Sequence, residues 1–366
     1  MFYILHVNIH MSDNKFTNKV LTYKDHEMLF HDPYHVMSYQ RDARKNVFLT
    51  NPYKKDDEPF LYLAFDDEDV VGRCYFYPTL FKVGENVMKA LSASSLYVVP
   101  EFRKYSLGVD IIIYGTFQES YKCRIYAGIS PMALPIYKKM GYVTLEMPRY
   151  ILRRNIKSFL QSKGLNSFCS SFLSPFLNVL LNARYYWFGQ TKKLKKKFQI
   201  NELFDVPEWI EDLVNQDGSR YMEFHNREWF QWQLCGSFSN GFYDKQKLFG
   251  VYDNQSNPVG FFLIKERKNK NNGLFVGGIY EWGSIDEQIL SESDIYQLAI
   301  SSFNNGVYLI EIGTINKETV RECEKIGFLH NGSEHFLFKS NEIKMDGIED
   351  IRNWRVRLGY ADTIFS

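Results

Sequence analysis

The chain has 366 residues, 45% hydrophobic, 17% aromatic and 24% charged, with a formal net charge of +1. At roughly 150 residues per domain that length suggests two domains with apolar material for two cores, and the near-neutral balance gives no electrostatic call for nucleic acid. The five cysteines (Cys74, Cys123, Cys169, Cys235 and Cys323) form no CxxC pair and are odd in number, which argues against a disulfide framework or a metal site and for a reducing, cytoplasmic setting.

The opening stretch, "MFYILHVNIHMSDNKF", lacks a basic leader and a small-residue cleavage site, so it does not read as a signal peptide; Met11 is an alternative start. No run of eighteen apolar residues occurs, and no membrane span is expected. The segments "LYLAFDD" (61–67), "VVGRCYFYP" (70–78) and "ALSASSLYVVP" (90–100) read as three strands. A short basic turn follows, then Val109, Ile112, Ile113, Thr116 and Phe117 recur at helical spacing and predict one apolar helix face. "RIYAGIS" (124–130) reads as the next strand. Ser130 is placed to cap a helix whose first residue is Pro131. Ala133, Ile136, Tyr137 and Met140 form that helix's inner face, Pro135 threatens a kink, and Gly141 ends it as a left-handed residue.

These residues resemble the GCN5-related N-acetyltransferases over about residues 14–155. The family's acetyl-CoA signature is Gln/Arg-x-x-Gly-x-Gly/Ala, after a strand and opening a helix. Here Arg103-Lys104-Tyr105-Ser106-Leu107-Gly108 fits it, with a departure at Ser106. The family's later Asn-x-x-Ala-x-x-x-Tyr-x-x-x-Gly-Phe is met by Ser130, Ala133, Tyr137, Gly141 and Tyr142. The resemblance implies that the strand end Leu96–Tyr97–Val98, the loop Arg103–Gly108, Val109 and Ser130 bind acetyl-CoA. It also implies that Tyr137 protonates the leaving thiolate. Physically, unpaired amides and the dipole at a helix N-terminus suit a pyrophosphate, and a phenol is protonated at neutral pH and able to donate. Ser106 costs nothing if its backbone is right-handed and about 1–2 kcal/mol if it is left-handed. No carboxylate in "ALSASSLYVV" offers a general base.

Residues 156–198 differ in character: an apolar stretch, "FLSPFLNVLLNARYYWFG", precedes five lysines within Lys192–Lys197. Such a segment can lie on an anionic membrane surface as a peripheral contact. The expectation is a helical hairpin packed against both domains, because a charge run is usually a solvated face.

The later chain rhymes with the earlier. "PIYKKMGYVTLEMPRYILRR" (135–154) aligns with "RECEKIGFLHNGSEHFLFKS" (321–340) at an offset of 186, which takes Gly141 to Gly327, Tyr142 to Phe328 and Tyr150 to Phe336. "YLAFDDEDVVGRCYFY" (62–77) likewise resembles "FGVYDNQSNPVGFFLI" (249–264), pairing Gly72 with Gly260. Repeats in one order and at nearly one offset point to duplication. The second copy has no Arg-x-x-Gly-x-Gly loop, carries Cys323 at the tyrosine position and keeps Asn316. "SRYMEFHNREWFQWQL" (219–234) suits either a polar-acceptor surface or an amphipathic helix buried by its tryptophans, the latter being favoured; Glu281–Trp282 is a weaker candidate of the same kind.

The expected fold class is therefore α/β (α+β): two tandem acetyltransferase-like domains, each a mixed, twisted sheet flanked by helices. The expected boundaries are 14–155 for the acetyl-CoA-binding domain, 156–198 for the connector, 199–342 for the degenerate domain and 343–366 for a tail. The resemblance implies direct attack by the amine of a small acceptor on acetyl-CoA, with no metal and no nucleic acid. The tandem type resembles enzymes of bacterial surface-polysaccharide synthesis, which makes an amino sugar the expected acceptor. An aminoacyl transferase of the peptidoglycan-bridge type would need aminoacyl-tRNA but not the 103–108 loop, and a non-catalytic acyl-CoA sensor would need the loop but no acceptor.

Overall fold

A computed structural model describes residues 16–37, 46–235, 245–268, 273–340 and 346–360. Both candidate starts, the boundary at residue 14 and parts of the 343–366 segment lie outside these residues. The chain divides into two compact units. One comprises Met1–Arg41, Lys54–Tyr77 and Ala93–Gln118; the other comprises Asp42–Tyr53, Pro78–Ser92 and Glu119–Ser366.

The first unit is built on β1 (Phe16–Thr22), β2 (Pro59–Asp66), the start of β3 (Asp69–Val83) and the end of β4 (Asn86–Val98), with helix α1 (Leu107–Thr116). β1 and β3 both pair antiparallel with β2. The β2–β3 ladder slips between Ala64 and Phe65, leaving Val71 unopposed beside Gly72. Every residue from Pro59 to Phe65 is buried, as expected for a strand covered on both faces. Helix α1 buries Leu107, Ile111, Ile112, Gly115 and Thr116, while Phe117 is its exposed C-cap. The apolar face therefore runs through Ile111 rather than through Phe117 as the spacing predicted. Tyr114 packs on Tyr62 and Phe76, with ring centroids 5.1 and 5.7 Å away.

In the second unit, β4 runs parallel to β5 (Cys123–Ala127). Helix α2 (Leu134–Lys139) leads to β6 (Val143–Arg153). The 156–198 stretch is helical: α3 (Ile156–Ser162), α4 (Ser167–Phe188) and α5 (Thr191–Lys197). Then follow β7 (Gln199–Leu203), α6 (Glu208–Asn215), β8 (Tyr221–Glu223), α7 (Arg227–Leu234), β9 (Lys245–Tyr252), β10 (Pro258–Lys268) and β11 (Phe275–Ser284). The chain continues through α8 (Glu292–Ile300), β12 (Val307–Gly313), α9 (Lys317–Lys325), β13 (Leu329–Ser340) and β14 (Trp354–Arg355). Neighbouring strands run β4–β5–β13–β6–β12–β11–β10–β9–β7.

The repeat survives in detail. The β9–β10 ladder slips beside Gly260 and leaves Val259 unopposed, as Val71 is beside Gly72. Helices α2 and α9 end alike: Gly141 and Gly327 are left-handed, at φ +80° and +105°. Around them the Tyr142 N–H donates to the Tyr137 carbonyl and the Phe328 N–H to the Cys323 carbonyl, at 3.1 and 3.0 Å. Those six-to-one bonds, with Gly141 to Lys138 and Gly327 to Glu324 beside them, are the same helix-terminating motif used twice.

The copies also exchange strands. The second copy's last strand, β13, pairs with β5, and the first copy's last strand, β6, pairs with β12. β6 and β13 then pair antiparallel with each other. Tyr150 and Leu152 of β6 accordingly belong to the apolar core formed with Ile310, Ile312 and Phe328. This exchange explains why the compact units cut across the two copies of the repeat.

Helix α2 starts later than its predicted first residue, Pro131. Ala133 is its N-cap and Pro135 lies in its first turn. Proline has no N–H and its ring clashes with the carbonyl four residues back inside a helix, so it is tolerated only at the start. Pro135 thus begins α2 instead of kinking it. Ser130 caps the preceding turn, its Oγ accepting from the Ala133 N–H at 3.3 Å.

Candidate functional site

The first unit carries the predicted cradle. β4 ends in Leu96, Tyr97 and Val98, a 3-10 turn spans Pro100–Tyr105, and α1 begins at Leu107. Two serines bracket this run with left-handed backbone: Ser95 at φ 59° and Ser106 at φ 62°, ψ 14°. A left-handed residue inside a strand is the mark of a bulge, which re-aims the residues after it. Beyond Ser95, Leu96 and Tyr97 are more than a third exposed, whereas Val98 and Val99 return to the core. The Val99 N–H donates to the Val71 carbonyl at 2.9 Å and fixes the strand's end.

Ser106 answers the question its presence raised: it is left-handed and bears the cost the sequence made conditional. It is also the N-cap of α1, with no side-chain cap bond. Its carbonyl accepts from the Val109 N–H at 2.7 Å and the Asp110 N–H at 3.3 Å. The two amides before them, on Leu107 and Gly108, precede any intrahelical acceptor and stand at the positive end of the helix dipole. Arg103 Nε donates to the Val98 carbonyl at 3.0 Å, tying the turn to the strand end, while the residue remains exposed. Lys104, Tyr105 and Ser106 are exposed, and Leu107 is buried. The Lys104 ammonium sits 5.0 Å from the centre of the Tyr105 ring.

Gly108 decides whether this cradle suits a phosphate. Its backbone has ordinary negative φ, and a Cβ there would meet only Val98 Cγ2, at 3.9 Å. The fold itself therefore does not require glycine. A glycine here adds no side chain beside the Leu107 and Gly108 amides. Asp110, one turn further, is half-buried, and burial pushes its carboxyl up.

Tyr137 and Ser130 lie in the second unit. Tyr137 is buried on α2, its ring 5.3 Å from that of Tyr126 and 5.1 Å from that of Tyr142. Ser130 is exposed in the turn before α2. At the matching position of the second copy, burial drives the Cys323 thiol well up, with neighbouring carboxylates adding to it; such a thiol is a poor nucleophile. Asn316 caps α9, its Oδ1 accepting from the Glu318 N–H at 2.9 Å.

The 219–234 segment is not an open acceptor surface. Tyr221, Glu223, His225, Trp229 and Trp232 are all buried. His225 stacks on Trp229, ring centroids 3.6 Å apart, and pairs through Nδ1 with Glu281 Oε2 at 2.5 Å. Glu223 accepts from Thr79 Oγ1 at 2.6 Å, and Arg357 pairs with Glu281. Burial alone would push the His225 imidazole down, but hydrogen bonds to Glu223 and Glu281 and their charges outweigh it and hold it above its ordinary value. Burial would likewise raise Glu281, but Arg357 and His225 hold it below. Sequence reading paired neither His225 with Glu281 nor either of them with Arg357, because 56 residues and then 76 separate the partners.

No family model matches the chain, and no curated protein does. Solved structures do. N-myristoyltransferase of Saccharomyces cerevisiae with bound myristoyl-CoA superposes with a TM-score of 0.58 at 12% identity, over 92% of this chain and 85% of that one. A GCN5-related N-acetyltransferase from Anabaena variabilis gives 0.54 at 10% identity, over 89% and 72%. A probable N-acyltransferase from Enterococcus faecalis gives 0.54 at 13%, also over 89% and 72%. The chain has the fold of the GCN5-related N-acetyltransferases, with a large mixed sheet flanked by helices.

Proposed function

We propose that this chain is an acyltransferase that moves an acetyl group from acetyl-CoA to the amine of a small acceptor, with an amino sugar as the first candidate. The observation that carries the reading is the pair of left-handed serines around the strand end and the glycine-opened helix. Strained backbone at a non-glycine residue costs about 1–3 kcal/mol and persists where the surroundings over-determine it, typically at ligand clamps. Here it places a bulged strand end and two helix amides within one short run.

In this reading the Leu107 and Gly108 amides receive the pyrophosphate, and Arg103 and Lys104 add positive charge beside it. Tyr105 within the loop and Val109 after it add contacts, and Ser130 makes the contact its motif position implies. Bound acetyl-CoA would supply a thioester carbonyl open to attack by a neutral amine. The N–H groups of Leu96, Tyr97 and Val98 would polarise that carbonyl, and holding both reactants together would supply much of the rate gain. By its motif position, Tyr137 would give its proton to the departing thiolate. No enzyme-bound acyl group is formed.

The test is thiol release from acetyl-CoA across a panel of amino sugars and amino acids. Because one structural neighbour holds myristoyl-CoA, longer acyl-CoAs form a second arm. Tyr137→Phe should lower kcat by about 10²–10⁴-fold while KM for acetyl-CoA stays within a few-fold. Unchanged turnover and an unchanged pH profile in Tyr137→Phe would remove the tyrosine from the chemistry. CoA binding without thiol release against any amine would favour the non-catalytic sensor.

A further inference from the structure

Helix α4 turns an apolar face outward. At 100° per residue its side chains divide into an inner and an outer arc. Ser170 and Ser174 are buried against the protein. Asn178 Oδ1 accepts from the Ile156 N–H at 2.8 Å, and Asn182 Nδ2 donates to the Arg154 carbonyl at 3.1 Å. These polar groups, with half-buried Leu177, Leu181 and Tyr185 on the same inner arc, hold the helix to its neighbours. The other arc carries Phe168, Phe172, Phe176, Val179, Leu180 and Trp187, and these are 63–81% exposed. A helix of a water-facing surface presents the opposite arrangement, and an exposed apolar patch of this extent marks a contact surface.

The charge around it names the partner. Residues 156–198 contain eight lysines and arginines and no aspartate or glutamate, in a chain of net charge +1. Lys192, Lys193, Lys195 and Lys196 project exposed from α5, which buried Leu194 anchors. The corner between α4 and α5 is fixed: Tyr185 and Thr191 share a hydroxyl–hydroxyl bond at 2.7 Å, and the Gln190 N–H donates to Gln297 Oε1 at 2.5 Å. The aromatic arc and the lysines are therefore held in a fixed relation. No helix among the described residues is long and apolar enough to cross a membrane.

We propose that α4 lies flat in the interface of an anionic lipid bilayer, its Phe168–Trp187 face in the acyl boundary and the α5 lysines on the headgroups. The packed-hairpin expectation leaves the outer face of α4 without a role, since among the described residues nothing covers it. The proposal is independent of the acyl-transfer reading.

Flotation of the full chain with vesicles tests it. Phosphatidylcholine vesicles containing about 30% phosphatidylserine should carry the protein, and pure phosphatidylcholine should carry about tenfold less. Raising salt should weaken binding. Trp187 emission should shift to the blue on binding, and Trp187→Phe should remove the shift. The double variant Phe172→Ser/Phe176→Ser, and separately Lys192/Lys193/Lys195/Lys196→Gln, should each lower partitioning by at least about tenfold. All these positions are exposed, so thermal unfolding should stay unchanged. Absence of flotation with anionic vesicles at low salt overturns the proposal, as does flotation indifferent to phosphatidylserine. A stable dimer in sedimentation, broken by Phe172→Ser/Phe176→Ser and without vesicle binding, would assign the face to a second copy instead.

Discussion

Ser106 and Ser95 hold the backbone where glycine is at ease, and each should give way to glycine without harm to the fold. Ser106→Gly should raise unfolding stability by about 0.5–1 kcal/mol, relief of left-handed strain exceeding the added chain entropy. It should leave acetyl-CoA affinity equal or higher; a fall would show that the Ser106 hydroxyl is itself a ligand. The sequence could state the choice at Ser106 but not decide it, because handedness is set by how the 3-10 turn meets α1. Ser95 carried no signal at all: nothing in "ALSASSLYVV" marks which of its serines is left-handed. His225 shows a different limit, since partners far apart in sequence meet only in the fold. Its folded-state pKa is raised, so its stabilisation is complete below the ordinary value of 6.5 and lost as pH climbs through the raised value. Glu281, held low, contributes above its ordinary value of 4.5 and loses its part as acid approaches the lowered one. Urea titrations should find the stability advantage of wild type over His225→Gln shrinking as pH rises above about 6.5; a difference independent of pH would contradict it.

At the scale of elements, the strands and the helix stops were legible because their signals are local. Alternating or continuous apolar runs gave β2, β3, β4 and β5, and the glycines after Met140 and Ile326 gave the ends of α2 and α9. The start of α2 was misplaced because two prolines compete near it, and only Pro135 needs the first turn. The exchange of β6 and β13 was not legible: both strands carry the pattern of their own copy, and nothing local says which neighbour each will pair with. It has a consequence for dissection. A fragment ending at residue 155 would leave β5 without β13, and β6 without β12 and β13. Such a fragment should show no cooperative unfolding by circular dichroism. Leu152→Ala in the full chain should cost about 2–5 kcal/mol, because its side chain completes the core of the second copy. A fragment that folds and melts cooperatively would show the exchange to be dispensable.

At the scale of the molecule, the first copy carries a basic, glycine-ended loop between strand and helix that the second lacks. Composition and repeat analysis reached the fold class, since an offset of 186 with matched glycines is a long-range signal written into the chain itself. They did not reach the outward apolar face of α4, because composition cannot distinguish a buried apolar arc from an exposed one. The central claim is that the first copy binds a coenzyme A thioester through the amides opened by Gly108. Isothermal calorimetry of acetyl-CoA against the full chain and against Gly108→Ala tests it most directly. The account predicts saturable binding to the wild type and affinity at least about tenfold weaker in Gly108→Ala, whose own unfolding stability should be equal or higher because alanine is the better helix former. No binding to the wild type, or equal binding by both proteins, would contradict it.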